Sequence, residues 1–409
     1  MIPFSPPRID QKIIDEVTAA LQSGWITTGP RTKLFEKKLT EYYGNKATLC
    51  LNSATAGLEI MLRWFGVGAG DEVILPAYTY SATANVIIHC GATPVFVDVN
   101  ANDFNINVKE IEKHITAKTK VIMPVDFAGL PCDYDEINVL VAAKKSLFVA
   151  KTDNQKKLGR VLVLSDSAHS VGAIYKGKKT GSLTDVSVFS FHAVKNLSTA
   201  EGGCVALNLP VPFDNEEEYK KLCISTLHGQ NKDALAKTQK GNWRYDIVEA
   251  GYKCNMTDLT AAIGLIELER YDTDTLVKRK AICDHYINAL AKRADVFELP
   301  VQQTADKKSC YHLFPLRIKN ITEAQRDEII KHIFDCDVSV NVHFIPVPCM
   351  SFYKGLGYDI KNYPVTYNNY SREITLPVFY DLTTQQLDTV VDAVIKSTEK
   401  VISKKNSFA

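Results

Sequence analysis

Between Ala47 and Phe189 the sequence repeats one theme: a short run apolar on both faces, a polar turn, and an amphipathic helix. The runs are Ala47–Leu51, Glu72–Leu75, Pro94–Val97, Val121–Val125, Val161–Leu164 and Val186–Phe189, with helices opening near Ala56 and over Ala82–His89. A strand with no polar face has to be covered on both sides, and strands separated by helices pair in parallel through crossovers. The predicted fold is therefore α/β with a mostly parallel sheet. Two helices precede it: one capped by Asp10, with Ile13, Val17 and Leu21 on a stripe and Gly24 at its stop, and one carrying Leu34, Phe35, Leu39 and Tyr42 and ending at Gly44.

Beyond Leu265 the pattern changes to a long polar helix through Tyr271–Ala291, a strand Leu313–Ile318, a helix Glu323–Phe334, an alternating strand Val338–Phe344 and a last helix striped by Leu387, Val390, Val391, Val394 and Ile395. This mixture predicts two domains, a large α/β unit over 1–265 and a smaller α+β unit over 266–409. The stretch Lys144–Arg160 holds six basic residues against one Asp and reads as a solvated surface excursion.

Charge narrows the function. Lys and Arg total 48 against 47 Asp and Glu, so the overall field does not attract a polyanion, and nucleic acid or an acidic membrane is not an expected partner. Any anion must be caught locally. The ten cysteines form no CxxC pair and no zinc-spaced cluster, which reads as reduced, buried thiols and no metal site. The amino terminus lacks a signal-peptide pattern, and the uncharged run Val73–Val97 is broken by Pro76, Asn85, His89 and Pro94, so a cytoplasmic location is expected.

In open parallel sheets ligands bind beyond the carboxyl ends of the strands, and four such ends carry polar residues. Asn52-Ser-Ala-Thr-Ala-Gly57 opens a helix with free amides and two hydroxyls, either an ordinary cap or a phosphate seat. Ser165-Asp-Ser-Ala-His169 offers an acid and an imidazole; alone they fit a turn former and a packed histidine. Ser190-Phe-His-Ala-Val-Lys195 sets a lysine just past a buried strand and before Gly202-Gly203; burial would make this amine a usable nucleophile, although a lone lysine is ordinarily a surface residue. Pro76-Ala-Tyr-Thr-Tyr80 presents an aromatic residue that would stack on a flat ring or pack in the core. Together these ends supply a phosphate seat, a ring stacker, an acid, a hydroxyl and an amine, the set that pyridoxal phosphate requires.

With these residues in view, the chain resembles the DegT/DnrJ/EryC1/StrS family of sugar aminotransferases, a branch of the type I pyridoxal-phosphate aminotransferase fold. The likeness runs from Trp25-Ile-Thr-Thr-Gly-Pro30 through Gly70-Asp-Glu-Val-Ile74, Pro94-Val-Phe-Val-Asp98 and Phe189-Ser-Phe-His-Ala-Val-Lys195 to Ser371-Arg-Glu-Ile-Thr-Leu-Pro377. It implies that Lys195 holds pyridoxal 5'-phosphate in a Schiff base, with pyridoxamine 5'-phosphate as the intermediate form, and that Asp166 pairs with the ring nitrogen. It further implies that His169 holds the hydroxyl side of the ring, Tyr80 stacks on it, and Ala54, Thr55 and Ser190 bind the phosphate. Lys253 stands where many members carry an Asn that reaches the neighbouring subunit's phosphate, so it is a candidate cofactor contact across a homodimer whose shared site is closed by the partner's segment near Lys240–Lys253.

Within the family, His169 and the Lys195 motif look more like enzymes that aminate carbon 4 of a UDP-linked 4-keto-6-deoxy sugar from L-glutamate, for surface polysaccharide or glycan synthesis. The alternatives are a carbon-3 aminotransferase, which often has Gln at the His169 position, and a non-catalytic sensor, which would tolerate loss of Lys195 or Asp166.

Overall fold

The structure is a computed structural model that describes residues 1–232 and 244–406. Its centre is a seven-stranded sheet built from β1 (Ala47–Leu51), β2 (Glu72–Pro76), β3 (Thr93–Val97), β4 (Thr119–Ile122), β5 (Leu162–Asp166), β6 (Val186–Ser190) and β7 (Gly203–Leu207). The order is β1-β7-β6-β5-β4-β2-β3, parallel except for β7, which runs antiparallel to both neighbours. The five residues of β1, β5, β6 and β7 are all buried, as strands covered on two faces require. One core fills one side of the sheet with Leu58, Met61, Phe65, Leu75, Met123, Leu164 and Val188, and Phe35, Leu39, Tyr43, Phe189 and Phe191 fill another.

The antiparallel β7 follows from chain length: only the loop 191–202 separates it from β6, too short for a helical crossover. Its first residue, Gly203, sits in register with both Ser190 and Leu51, so the carboxyl ends of β6 and β1 meet at one point.

The leading helices are α1 (Gln11–Gln22), capped by the Asp10 carboxylate accepting from the Ile13 amide, and α2 (Pro30–Tyr43), stopped by Gly44 at φ 68°. Both pack on α5 (Asp258–Glu269), numbered after α3 (Ala54–Trp64) and α4 (Ser81–His89), which follow β1 and β2. The Asp258 carboxylate accepts from the amides of Gly29, Arg31 and Thr32, which satisfies the free donors at the start of α2 from a different helix.

A second core surrounds a three-stranded antiparallel sheet of β8 (Phe297–Glu298), β9 (Phe314–Ile318) and β10 (Glu373–Leu376). Three helices cover it: α6 (Leu276–Leu290), α7 (Glu323–Phe334) and α8 (Thr384–Asn406). Two expectations need correction here. The helix expected from Tyr271 begins regularly only at Leu276, after a wide turn over Tyr271–Thr275. The alternating run Val338–Phe344 is no regular strand: it makes single bridges, Val338 to Ile2 and Asn341 to Thr375, and the Asn341 side chain accepts from the Val342 amide where the chain turns. Alternation there reflects burial of Val338 and Val340 without continuous pairing.

The basic stretch 144–160 is also more anchored than its composition suggests. Lys151 pairs with buried Asp71 at 2.6 Å, Arg160 grips Asp185 through two 2.7 Å bonds, and Gln155 is fully buried against the carbonyl of Phe65. All ten cysteines are free; six are buried, but Cys336 is exposed. Among the described residues no helix is long and apolar enough to cross a membrane, and no group of three or more His, Cys, Asp or Glu side chains could hold a metal ion.

Candidate active site

The carboxyl ends of the central strands open into one cavity of about 410 Å³, lined in part by Ala54, Thr55, Tyr80, Asp166, His169, Ser190 and Lys195. Seven of the eight residues singled out in the sequence therefore converge. Lys253 does not: it is exposed, its ammonium donates to the Asn255 side chain, and it lies outside the cavity of its own chain. Of the segment expected near Lys240–Lys253, residues 240–243 lie outside the described residues.

Asp166 is the last residue of β5 and is buried. Its Oδ2 accepts the Thr83 hydroxyl at 2.8 Å and its Oδ1 the Ala168 amide at 3.2 Å. Burial pushes its pKa up, while the Thr83 and Ala168 bonds and the nearby Lys195 amine oppose that rise. Thr83 is held in turn by Thr79, hydroxyl to hydroxyl at 2.8 Å, from the turn that leads into α4.

Lys195 sits in the loop 191–202 between β6 and β7. That loop is laced to itself: the amides of Lys195, Thr199 and Phe191 donate to the carbonyls of His192, Phe191 and Gly202. The next residue, Asn196, is pinned by donating to the Cys310 carbonyl at 2.8 Å and pairing with His312 Nδ1 at 2.8 Å. Burial pulls the Lys195 amine down to about 8, against the attraction of Asp166. At neutral pH a usable fraction is thus unprotonated, which an ordinary surface lysine would not provide.

His169 is buried, with its ring centroid 4.4 Å from that of His312 and 5.7 Å from Phe344. Burial, reinforced by Lys195 and His343, depresses its pKa well below the usual range, so the ring is neutral. Its Nδ1 is buried and has no hydrogen-bond partner among the described residues. A buried polar nitrogen left open in a cavity wall is costly unless a ligand completes it.

The phosphate side is built on backbone. Ser53 caps α3 by accepting from the Ala56 amide at 3.1 Å, which leaves the amides at Ala54 and Thr55 at the helix start with the positive end of the helix dipole. Gly203 lets this turn approach: a Cβ there would lie 2.4 Å from the Ala54 nitrogen. Ser190 closes the same corner from the end of β6. Tyr80 is 62% exposed and tilts against Phe344 with centroids 5.7 Å apart, so it walls the cavity without being part of the core.

Sequence reasoning missed several wall residues: Phe4, Thr79, His312, His343 and Phe344. Thr79 and Thr83 carried a faint signal, two hydroxyls at helical spacing after a strand end. The others carried none, because they reach the cavity from the second sheet's connections and from the irregular chain before α1.

Comparison with known proteins agrees with this geometry. The DegT/DnrJ/EryC1/StrS aminotransferase family matches residues 7–395. The spore coat polysaccharide biosynthesis protein SpsC of Bacillus subtilis is 37% identical over 96% of this chain and 96% of its own. Spr1654 of Streptococcus pneumoniae, described as a sugar aminotransferase and solved in PMP and PLP forms, superposes with a TM-score of 0.94 for the PMP form, at 45% identity over 98% of this chain and 100% of that one. Helicobacter pylori PseC, an aminotransferase involved in the biosynthesis of pseudoaminic acid, gives a TM-score of 0.85 at 28% identity over 98% and 99% of the two chains.

Proposed function

Because the chain belongs to the DegT/DnrJ/EryC1/StrS aminotransferase family and is a pyridoxal-phosphate-dependent aminotransferase, we propose that it moves an amino group from L-glutamate to the keto carbon of a nucleotide-linked keto-deoxy sugar, at carbon 4 of a UDP-linked sugar. The observation that carries this reading is the meeting, in one cavity, of a buried amine at Lys195, a buried acid at Asp166 and the open helix start at Ala54 and Thr55. SpsC and PseC, named for polysaccharide and pseudoaminic acid biosynthesis, support a sugar destined for a surface glycan. His169 supports carbon 4 through its likeness to the carbon-4 enzymes.

The residues present fit the cofactor. The amides of Ala54 and Thr55 with the Ser190 hydroxyl would hold its phosphate, the open Nδ1 of His169 would meet the ring hydroxyl, Tyr80 would cover a ring face and Asp166 would pair with the ring nitrogen. When bound, pyridoxal phosphate supplies a positively charged ring that takes up the electron pair released as a carbon–hydrogen bond beside the amino group breaks. Asp166 keeps that ring nitrogen protonated, and Thr83 and the Ala168 amide keep Asp166 ionised and aimed. Lys195 would hold the cofactor, and its free amine would act as the base that takes the proton from the donor's α-carbon and as the acid that delivers it to the carbon of the cofactor that receives the amino group. The same residues act in reverse on the keto sugar, so donor and acceptor use the site alternately.

We further propose a homodimer in which Lys253 and the segment leading to it reach the partner's cavity. Tyr245, Ile247, Val248 and Tyr252 support this, each between 40% and 57% exposed on the approach to Lys253. The division into residues 1–265 and 266–409 is our proposal too, supported by the core of the smaller sheet, which apart from Ile2 is built from residues 282–401, and a cytoplasmic location accords with the supply of nucleotide sugars. The deciding experiment loads the enzyme with pyridoxamine phosphate and adds UDP- and dTDP-linked 3-keto and 4-keto sugars in turn. Return of pyridoxal absorbance with a UDP-linked 4-keto sugar is the expected result; silence across the panel overturns the sugar assignment.

A further inference from the structure

The segment 338–344 delivers His343 to the cavity wall, and behind it stands a fully buried acid, Glu373, at the start of β10. Glu373 Oε2 accepts the backbone N–H of His343 at 3.0 Å, and Oε1 is hydrogen-bonded to the Thr375 hydroxyl. That hydroxyl also meets His343 Nδ1 at 3.0 Å. Acid, hydroxyl and imidazole form one chain whose far end is His343 Nε2, on a residue that lines the cavity. The carbonyl of His343 is fixed as well, by the Tyr78 hydroxyl, and its ring stacks on Phe4 with centroids 5.5 Å apart.

A neutral imidazole carries one N–H, and the polarity of the chain decides which nitrogen bears it. If Glu373 is protonated it donates to Thr375, the hydroxyl proton turns to Nδ1, and Nε2 keeps its hydrogen. If Glu373 is ionised, Thr375 donates to the acid, Nδ1–H donates to Thr375, and Nε2 is bare. The charged and titratable groups facing Glu373 are Arg317 from the paired strand β9, Arg326 from α7, Tyr78 beyond β2, and His343. Burial outweighs them and lifts Glu373 to about 8, while burial and Lys195 hold His343 neutral, at about 3.

We propose that His343 determines acceptor specificity by donating Nε2–H to an oxygen that can only accept, the keto oxygen of the sugar. Glu373, acting through Thr375, is the positioning residue that keeps the hydrogen on that nitrogen. This rests on the sugar aminotransferase reading above. A sugar hydroxyl would rotate to suit either tautomer, whereas a carbonyl binds only the Nε2–H form.

The test compares wild type, Glu373→Gln, Thr375→Val and Thr375→Ser in the sugar half-reaction, with the glutamate half-reaction as control. The Glu373→Gln amide accepts from the His343 backbone and donates to Thr375, imitating the protonated acid at every pH. Its sugar KM should equal that of wild type near pH 7 and be about threefold to tenfold lower near pH 9.5, where wild type loses the donor. Thr375→Val removes the link between Glu373 and Nδ1, so its sugar KM should be the same near pH 7 and near pH 9.5, and Thr375→Ser should restore the roughly threefold to tenfold pH dependence of wild type. The contribution of Lys195 cancels in these ratios. Ring nitrogen-15 resonances of His343, assigned by their loss in His343→Gln, read the tautomer without turnover: Nε2 protonated near pH 7 in wild type and Glu373→Gln, and proton transfer to Nδ1 near pH 9.5 in wild type alone. A KM ratio that ignores pH, or a protonated Nδ1 near pH 7, overturns the proposal. Absence of turnover with every sugar overturns the proposed function instead, and the resonances still judge the relay.

Discussion

Asp166 and Lys195 stood out because each lies at or within a few residues of the carboxyl end of a strand apolar on both faces, where ligands of parallel sheets bind. Lys195→Ala should abolish borohydride fixation of the cofactor to its peptide and slow transamination by at least ~100-fold, the usual scale of losing a positioned acid–base group. Asp166→Ala removes a charge-assisted bond of roughly 1.5–3 kcal/mol, so single-turnover proton abstraction should slow by about 10- to 150-fold while cofactor affinity changes less. The pH dependence has a definite sign. A lysine pulled down to about 8 is protonated, and useless as a base, below that value. In the half-reaction that begins with Lys195 free, the rate should therefore rise with pH and level off above about 8, and a rate falling through this range would contradict the assignment. What the sequence hid at this scale is the company these residues keep: Thr83, Asn196 and His312 act on Asp166 and the Lys195 loop through contacts spanning 83 to 116 residues of chain.

Among elements, the parallel strands were readable from composition alone, whereas β7 was not. Its apolar residues follow a Gly pair that also serves the site, and direction in a sheet depends on how little chain is left to return. Gly203→Ala places a Cβ 2.4 Å from the Ala54 nitrogen, against backbone that has nowhere to yield. It should cost about 1–3 kcal/mol in stability and weaken cofactor binding by displacing the start of α3, both measurable by thermal unfolding with and without pyridoxal phosphate. The carboxylate of Asp258 caps α2 from α5 through three amides and the Thr32 hydroxyl. Asp258→Ala leaves those buried donors unpaired, so a loss of at least ~2 kcal/mol is expected in denaturant titration. The run 338–344 misled because alternation signals which side chains are buried, and burial here is achieved without a strand partner along most of its length.

At the level of the whole molecule, near-balanced charge gave no hint of an anionic ligand, since the proposed phosphate seat consists of helix amides that a count of residues cannot register. The proposed dimer is equally silent in any single-chain property except the exposed apolar residues near Lys253. Mixing Lys195→Ala with a variant carrying Lys253→Ala should give heterodimers with one intact site and recover part of the activity that each parent lacks, if the partner's Lys253 completes the pocket. Sedimentation at micromolar concentration should give twice the chain mass of 45.5 kDa; a monomer with full activity would remove the shared site.

The return of β7 beside β6 has one more effect. With Ser190 and Gly203 locked in register, the segment bearing Lys195 is tethered at both feet to the central sheet. The loop's own backbone bonds restrain it further, so the reach of the Lys195 amine is set mainly by its four-carbon stem. A reacting carbon must then be brought to that amine by the shape of the facing wall, where Phe4 and Phe344 arrive from the smaller sheet's side.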